Sequence, residues 1–404
     1  ILLTIFQAIY DWATVPMDFI DSSFASLANW IKATFPGGGK LTDLIAEGVV
    51  AGIGGIVIFI PQIAFLFLFI AVLEESGYMS RVVFLMDRVM RRFGLSGKSV
   101  VPLISGTACA IPAIMATRNI ENWKERLITI LVTPFTTCSA RLPVYLIIIA
   151  LVIPEGSFLG LSYQGLTLML LYLIGFGMAV FSAFLLDKIL KTSRKTFFVI
   201  EMPNYKVPLL KNVALAVIEK TKTFVFEAGK IILAISIVLW LMASYGPGKD
   251  FNNAETIVEE TFPELKGDQL NNKIAAYKLE HSFIGIVGKT IEPAIRPLGY
   301  DWKIGIGIVA SFAAREVFVG TLATIYSVGS DLEDDNKTIK NRMANEVHDN
   351  GEKVFTLASG ISLLLFYAFA MQCMSTLAIV KRETNTWKWP MIQLFGMSFI
   401  AYII

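Results

Sequence analysis

The chain has 404 residues, 35 Lys/Arg against 33 Asp/Glu, 55% hydrophobic residues and a mean hydropathy of +0.62. Charged residues make up 17%, against roughly 25% in soluble domains, which excludes an ordinary soluble globular fold. The net charge of +2 says nothing about nucleic acid; the basic residues cluster in short loops, as orientation signals do, and no nucleic-acid partner is expected.

Several apolar runs approach or exceed the ~20 residues that cross a bilayer. The expected fold is therefore all-α: a polytopic helical membrane protein with two repeats and broken or re-entrant helices. Residues 1–9 read as the end of a spanning helix. No n-region or small-residue cleavage site accompanies them, so they are not a signal peptide, and the chain reads as the C-terminal part of a longer one. Residues 16–35 are amphipathic and suit the membrane interface. Leu44–Leu73 is apolar, interrupted by Gly54-Gly55 and Pro61, and runs into Glu74-Glu75-Ser76-Gly77. The stretches 99–117 and 127–153 are apolar and broken, the second at Pro134 and Pro143. Gly165–Leu186 is an uninterrupted span. Lys188–Lys222 carries eight Lys/Arg and reads as cytoplasmic. Phe224–Tyr245, Ile304–Val328, Val354–Val380 and Trp389–Ile404 are further apolar segments, with an acidic stretch, Gly246–Glu280, assigned to the exterior.

The chain repeats itself. Asp87-Arg88-Val89-Met90-Arg91-Arg92-Phe93-Gly94-Leu95 resembles Glu292-Pro293-Ala294-Ile295-Arg296-Pro297-Leu298-Gly299-Tyr300, offset by 205 (292 − 87). Leu73-Glu74-Glu75-Ser76 resembles Leu279-Glu280-His281-Ser282, offset by 206 (279 − 73). Two diverged copies fit a transporter with its site between structural repeats. The expected organisation is 1–43, the end of a first transmembrane helix plus an interfacial helix; 44–190, the first repeat; 191–222, a basic cytoplasmic connection; 223–330, the second repeat; and 331–404, an acidic loop and C-terminal transmembrane helices.

Candidate chemistry concentrates where helices break, because freed carbonyls inside a bilayer must be buried or line a cavity. Cys109 sits between Gly106 and Pro112, close to Met115. Cys138 is flanked by Thr137 and Ser139, and Cys373 by Gln372 and Met374. Glu74 and Glu75 are acids beside a membrane segment, where burial is costly enough to suggest function. Adjacent helical residues diverge by about 100°, so at most one of the two points at a pathway. Glu280-His281 is their counterpart in the second copy. Arg315-Glu316 reads as a neutralising pair or a gate, and Arg141 as its analogue in the first half. Each cysteine also fits plain packing among small residues. Thiol and thioether favour soft or borderline transition metals over Mg²⁺ or Ca²⁺. Gly97-Lys98-Ser99 lacks the upstream Gly of a phosphate loop, so no nucleotide site is expected in this chain.

Leu73–Met79, Phe84–Arg88, Gly94–Ser99, Ile114–Arg118, Cys138–Tyr145, Ala313–Val317 and Gly320–Leu322 together resemble the membrane region of the bacterial ferrous-iron transporter FeoB family. The resemblance implies a multi-pass protein of the bacterial inner membrane that moves Fe²⁺ as its cargo. It further implies a GTPase domain in the same polypeptide, upstream of these residues and using GTP and Mg²⁺. Membrane lipid, a small cytoplasmic accessory protein and homo-oligomers are the implied partners. Carried over position by position, the implied metal ligands are Cys109, Cys138, Cys373 and the acid in Glu74-Glu75. Ser139, Thr137, Met115, Glu280, His281, Arg315 and Glu316 are the pathway or gating candidates. Ala110 and Gln372 depart from the family pattern, which often has Asn and Pro there. The rival readings are a gate-fold permease for another metal or small solute, and a non-transporting membrane assembly subunit.

Overall fold

The computed structural model describes all residues except 1, 35–38, 59, 108, 155, 159–160, 191–204, 262–267, 313–314, 316, 327–342 and 344–352. Helices of seven or more residues are numbered in chain order: α1 (Leu2–Thr34), α2 (Ala51–Val57), α3 (Ile60–Glu75), α4 (Tyr78–Met90), α5 (Val100–Gly106), α6 (Ala110–Ala116), α7 (Trp123–Val132), α8 (Leu142–Val152), α9 (Tyr163–Ile189), α10 (Leu210–Ser244), α11 (Ala254–Thr261), α12 (Asp268–Glu280), α13 (Phe283–Ile295), α14 (Trp302–Ala310), α15 (Val317–Tyr326), α16 (Leu357–Phe369), α17 (Met374–Thr384) and α18 (Lys388–Ile403). A two-residue antiparallel pair, Ser157–Phe158 with Leu161–Ser162, is the one sheet among the described residues.

The architecture is the expected all-α membrane fold, with differences in where helices end. The first 34 residues hold one helix, α1, rather than a span end and a separate interfacial helix. Pro16 lies inside it and removes one backbone hydrogen bond without ending it. The basic residues from Lys211 to Lys222 join Phe224 onward in the single helix α10. The run through Glu74-Glu75 does not continue straight. Ile63–Glu75 and Tyr78–Phe93 meet at 84°, where Gly77 adopts φ 78°, a left-handed conformation that glycine reaches without steric cost. Pro134 sits in a 3₁₀ turn, Thr133–Phe135, just ahead of a break, whereas Pro143 opens α8 instead of breaking it. The first turn of a helix tolerates proline because its N–H has no partner there anyway.

Among the described residues, three segments are long and apolar enough to cross a membrane: Trp123–Val152, Tyr163–Ile189 and Leu357–Thr384. The bent pair at Gly77 adds a fourth if it is one span. Helix α9 exposes Leu173, Phe181, Leu185 and Ile189, an apolar surface of the kind that requires a lipid or protein cover.

Contacts divide the chain into two compact units. Unit 1 comprises residues 1–139, 174–237 and 375–393; unit 2 comprises 140–173, 238–374 and 394–404. The core of unit 1 joins Ile63 and Phe67 of α3, Ile111 and Ile114 of α6, Ile130 of α7, Phe224 of α10, and Ile379 and Val380 of α17. The core of unit 2 joins Ile284, Ile306, Ala310 and Ile325. In lipid, apolar burial alone does not drive helices together, so close packing and polar contacts must. Gln393 of α18 supplies such a contact in unit 1, its Nε2 donating to the carbonyls of Ile130 and Leu131 at 3.3 and 3.0 Å.

The internal repeat recurs as local geometry. Helix α4 ends in the 3₁₀ turn Arg91–Phe93 and Gly94 at φ 75°; α13 ends in the turn Arg296–Leu298 and Gly299 at φ 80°. Gly94 N–H donates to Arg91 O and Leu95 N–H to Met90 O; Gly299 and Tyr300 repeat the pair with Arg296 and Ile295. The shifted motif matches too: Ser76 Oγ donates to Leu73 O at 2.9 Å, and Ser282 Oγ to Leu279 O at 2.7 Å. A left-handed residue with a Cβ costs about 1–2 kcal/mol. We expect Gly299→Ala to lower stability by that amount, since its Cβ would stand 3.2 Å from Ser359 Cβ. Gly94→Ala should cost more, because its Cβ would collide with the Asp187 side chain, which Lys124 holds at 2.7 Å. Thermal unfolding of the two variants, with equal losses as the contrary result, tests the ranking.

Candidate functional site

In unit 1 the helices line an open cavity of about 580 Å³. Glu74 from the end of α3, Met79 and Ser80 from α4, Ser105 from α5 and Met115 from α6 face it, together with Glu219, Lys220 and Thr223 from α10. Lys98 and Arg118 also line it. The bend at Gly77 and the short break between α5 and α6 bring these four early helices around one space. Glu74 and Glu75 separate as helical geometry demands. Glu74 faces the cavity with Lys220 Nζ 3.8 Å from its carboxylate, whereas Glu75 accepts a 3.0 Å hydrogen bond from Asn212 Nδ2.

Cys109 is the residue before α6 restarts. Its backbone is extended (φ −155°, ψ 134°), and its N–H donates to Ser105 O at 3.1 Å. Its side chain, like that of Met115, packs against the core of unit 1. Cys138 lies in the next break, at the centre of the span Trp123–Val152. Ahead of it, Thr136 Oγ1 donates to Thr133 O at 2.7 Å, while the buried hydroxyl of Thr137 has no hydrogen-bond partner. Ser139 begins the 3₁₀ turn Ser139–Arg141 that follows. In unit 2, Cys373 closes the break Ala370–Cys373 near the centre of Leu357–Thr384, immediately before α17. Each of the three cysteines is thus the last residue of a helix break.

Unit 2 also holds the remaining candidates. Glu280 pairs with Lys289 at 3.0 Å. His281 Nδ1 lies 3.0 Å from Tyr277 O, and its ring stacks on Tyr277 at 4.3 Å. Arg315 is buried and donates from Nη2 to Ala370 O at 3.2 Å; Met374 N–H donates to Phe312 O at 3.1 Å. These two bonds lace the break after α14 to the break after α16. Glu316 lies outside the described residues. Arg141 is fully buried, like Arg315. Beyond the core, Glu255 of α11 is ion-paired with Lys278 of α12 at 2.7 Å, and the ammonium holds its carboxyl below the usual range.

Among the described residues no three or more His, Cys, Asp or Glu side chains gather as a metal cage. The thiols lie at the helix breaks, and Glu74 and Met115 line the unit 1 cavity. Sequence reasoning did not single out Glu219, Lys220, Lys98 and Arg118 as cavity-lining, since nothing in their spacing relates them to Glu74.

The Gate family model, described as nucleoside recognition, matches residues 56–152 and 225–387, and the model for the ferrous iron transport protein B C terminus matches residues 168–220. The chain belongs to the FeoB family. The Gate stretches contain all three cysteines, Glu74, Glu75 and Arg315, and the FeoB C-terminal stretch contains Glu219 and Lys220 of the cavity wall. The Fe(2+) transporter FeoB of Leptospira interrogans serovar Lai is 44% identical over 403 residues, covering 100% of this chain and 55% of that protein. The protein of the same name from Leptospira biflexa is 43% identical over 399 residues, covering 98% and 54%. An Fe(2+) transport protein A/Fe(2+) transporter FeoB fusion protein of Porphyromonas gingivalis is 34% identical over 417 residues, covering 100% and 48%. The chain therefore spans about half the length of the curated FeoB relatives it matches. No solved structure matches it.

Proposed function

We propose that this region is the ferrous-iron pathway of a transporter in the bacterial inner membrane, crossing it several times. The observation that carries the reading is the ending of each of three helix breaks on a cysteine, two of them at the centres of apolar spans. A thiol beside freed carbonyls offers a borderline-soft metal mixed sulfur and oxygen contacts. The relatives' name, Fe(2+) transporter FeoB, supports the cargo. In this reading Fe²⁺ meets Cys109 and Cys138 at the helix breaks of unit 1 and Met115 and Glu74 at its cavity, and Cys373 is the ligand that unit 2 supplies. Basic residues from α4 to α7 and along α10 mark that end as cytoplasmic. Glu74 replaces Glu75 as the favoured acid, because Asn212 occupies the latter. A GTPase domain elsewhere in the full-length polypeptide, with GTP and Mg²⁺, biases the pathway, and the fusion relative supports a small accessory partner.

The test is anaerobic Fe²⁺ uptake into proteoliposomes holding the full-length protein. Cys109→Ser with Cys138→Ser should cut initial uptake at least tenfold, equivalent to about 1.4 kcal/mol of barrier. Unchanged uptake with intact folding would falsify the reading. The nucleoside-recognition description of the Gate model favours one rival, a permease for a nucleoside-like solute. Mn²⁺, Zn²⁺ and a nucleoside are therefore included as competitors, and displacement of iron by the nucleoside alone would favour that rival.

A further inference from the structure

The apolar helix α18 buries an amide, Gln393, with a relative exposure of 3%. An amide in an apolar interior costs free energy unless it is hydrogen-bonded, so its partners state what it does. Its Nε2 carries two N–H groups, and the carbonyls of Ile130 and Leu131 in α7 accept from it at 3.3 and 3.0 Å. Among the described residues its Oε1 has no hydrogen-bond partner, so the orientation of the amide rests on those two carbonyls.

Both carbonyls are stranded by the sequence. The last α-helical bond of α7 runs from Thr133 N–H to Thr129 O. The next would run from residue 134 to Ile130 O, and residue 134 is proline, which has no N–H. The chain then tightens into the 3₁₀ turn Thr133–Phe135, where N–H groups reach back three residues instead of four: Thr136 N–H donates to Thr133 O at 3.1 Å. Leu131 O is passed over in the same way. The break lies near the centre of the apolar span Trp123–Val152, where lipid offers no water and a stranded carbonyl needs a protein donor. Two other helices approach the break through glycine, Gly106 of α5 and Gly175 of α9, where an added Cβ would stand 2.5 Å from Thr136 Oγ1 and 3.0 Å from Phe135 O. Glycine permits that approach and brings no side-chain donor.

We propose that Gln393 is a positioning residue for the Cys138 break: its amide supplies the donors that Pro134 and the 3₁₀ turn withhold, and so sets where the chain leaves α7 and where the Cys138 thiol comes to lie. The capping stands on these contacts alone. Its bearing on transport rests on the reading of Cys138 as a contact of the iron pathway.

The first test needs no iron and uses the full-length protein in detergent. Gln393→Met keeps the length of the side chain and removes both donors, and should lower the unfolding midpoint by about 2–4 °C. Pro134→Ala restores the N–H that Ile130 O lacks. The fall in Gln393→Met/Pro134→Ala should therefore be smaller than the sum of the two single falls, by at least half of the Gln393→Met loss. Pro143→Ala is the control: that proline opens α8, where an N–H has no helical partner, and its replacement should return nothing. Gln393→Asn, which withdraws the amide by one methylene, should show the same rescue and guards against a Met variant that fails to fold. The second test is Fe²⁺ uptake into proteoliposomes, where Gln393→Met should slow initial uptake about threefold on the native chain and add nothing on Cys138→Ser. Pro134→Ala and Pro143→Ala behaving alike would overturn the proposal, as would a Gln393→Met effect on uptake that persists in full without the Cys138 thiol. Uptake left unchanged by Cys138→Ser would overturn the pathway reading, with the proline cycle left to decide the capping.

Discussion

Glu383→Gln is expected to destabilise unit 1 by about 2 kcal/mol, read as a fall of a few degrees in the unfolding midpoint. The Glu383 side chain is 3% exposed and is gripped from two sides. Arg118 approaches its carboxylate with Nη2 at 2.5 Å and Nε at 3.1 Å, and Arg126 Nη2 donates to its other oxygen at 2.7 Å. Arg118 follows α6, Arg126 lies in the first turn of α7, and Glu383 is near the end of α17. The carboxylate therefore ties the hairpin that presents Cys109 and Met115 to a helix more than 250 residues away. Breaking a fully buried ion pair costs roughly 3–5 kcal/mol. The Arg118 side chain is 49% exposed and that of Arg126 22%, so water screens part of the loss and the lower figure applies. Glutamine keeps the volume but turns an N–H₂ toward an arginine. The matched control is Glu121→Gln, whose 84% exposed side chain pairs with Lys98 and should matter by less than about 0.5 kcal/mol. Equal midpoints for the two variants would refute the assignment of Glu383 as the clasp.

Much of this architecture is legible in the residues. The repeat can be read because its punctuation is local: an acid, an arginine and a left-handed glycine recur together, and each requires only its own turn. Gly94 and Gly299 keep the same backbone conformation although few neighbouring side chains agree. The breaks at Cys109 and Cys138 are visible for the same reason, since small residues and proline crowd around them; the break at Cys373 lies inside a run read as one apolar segment, with no proline to mark it. Reading Pro143 as a break misjudged a residue that starts a helix, because one-dimensional spacing does not distinguish the first turn from an interior one.

What the chain order hides is partnership across long separations. Nothing local in Glu383 distinguishes it from the other charged residues at the end of α17, yet it is buried while Lys381 and Arg382 stay outside its ion-pair cluster. Which of Glu74 and Glu75 turns to the cavity is a question of helix face, and α10 supplies Lys220 to one and Asn212 to the other. His281 aligned with Glu75 in the repeat, but stacking on Tyr277 gives it a packing environment that no alignment of the two copies reveals. Matching positions in a diverged repeat share a backbone; their side-chain chemistry follows whichever helix arrives from elsewhere.

Gly106→Ala is expected to cost about 1–3 kcal/mol and to slow Fe²⁺ uptake by about tenfold, through a single added methyl group. Gly106 ends α5 and is buried. A Cβ there would stand 2.5 Å from Thr136 Oγ1 and 3.1 Å from Thr133 Cγ2. Neither threonine can yield easily. Thr133 Oγ1 donates to Thr129 O at 2.6 Å and Thr136 Oγ1 to Thr133 O at 2.7 Å, so both rotamers are fixed by the backbone they cap. The methyl would instead push apart the break that ends at Cys109 and the break that ends at Cys138. Close approach of this kind is what small residues provide in lipid, where no hydrophobic force presses helices together. The second-site variant isolates the cause. Thr136→Ala removes the colliding oxygen, so Gly106→Ala/Thr136→Ala should be more stable than the sum of the two single losses by about 1 kcal/mol and should recover part of the uptake. If the two losses simply add, the breaks do not bear on one another through this contact. A stability recovered without uptake would assign Gly106 to packing alone, and would separate the spacing of the two thiols from the integrity of the unit that holds them.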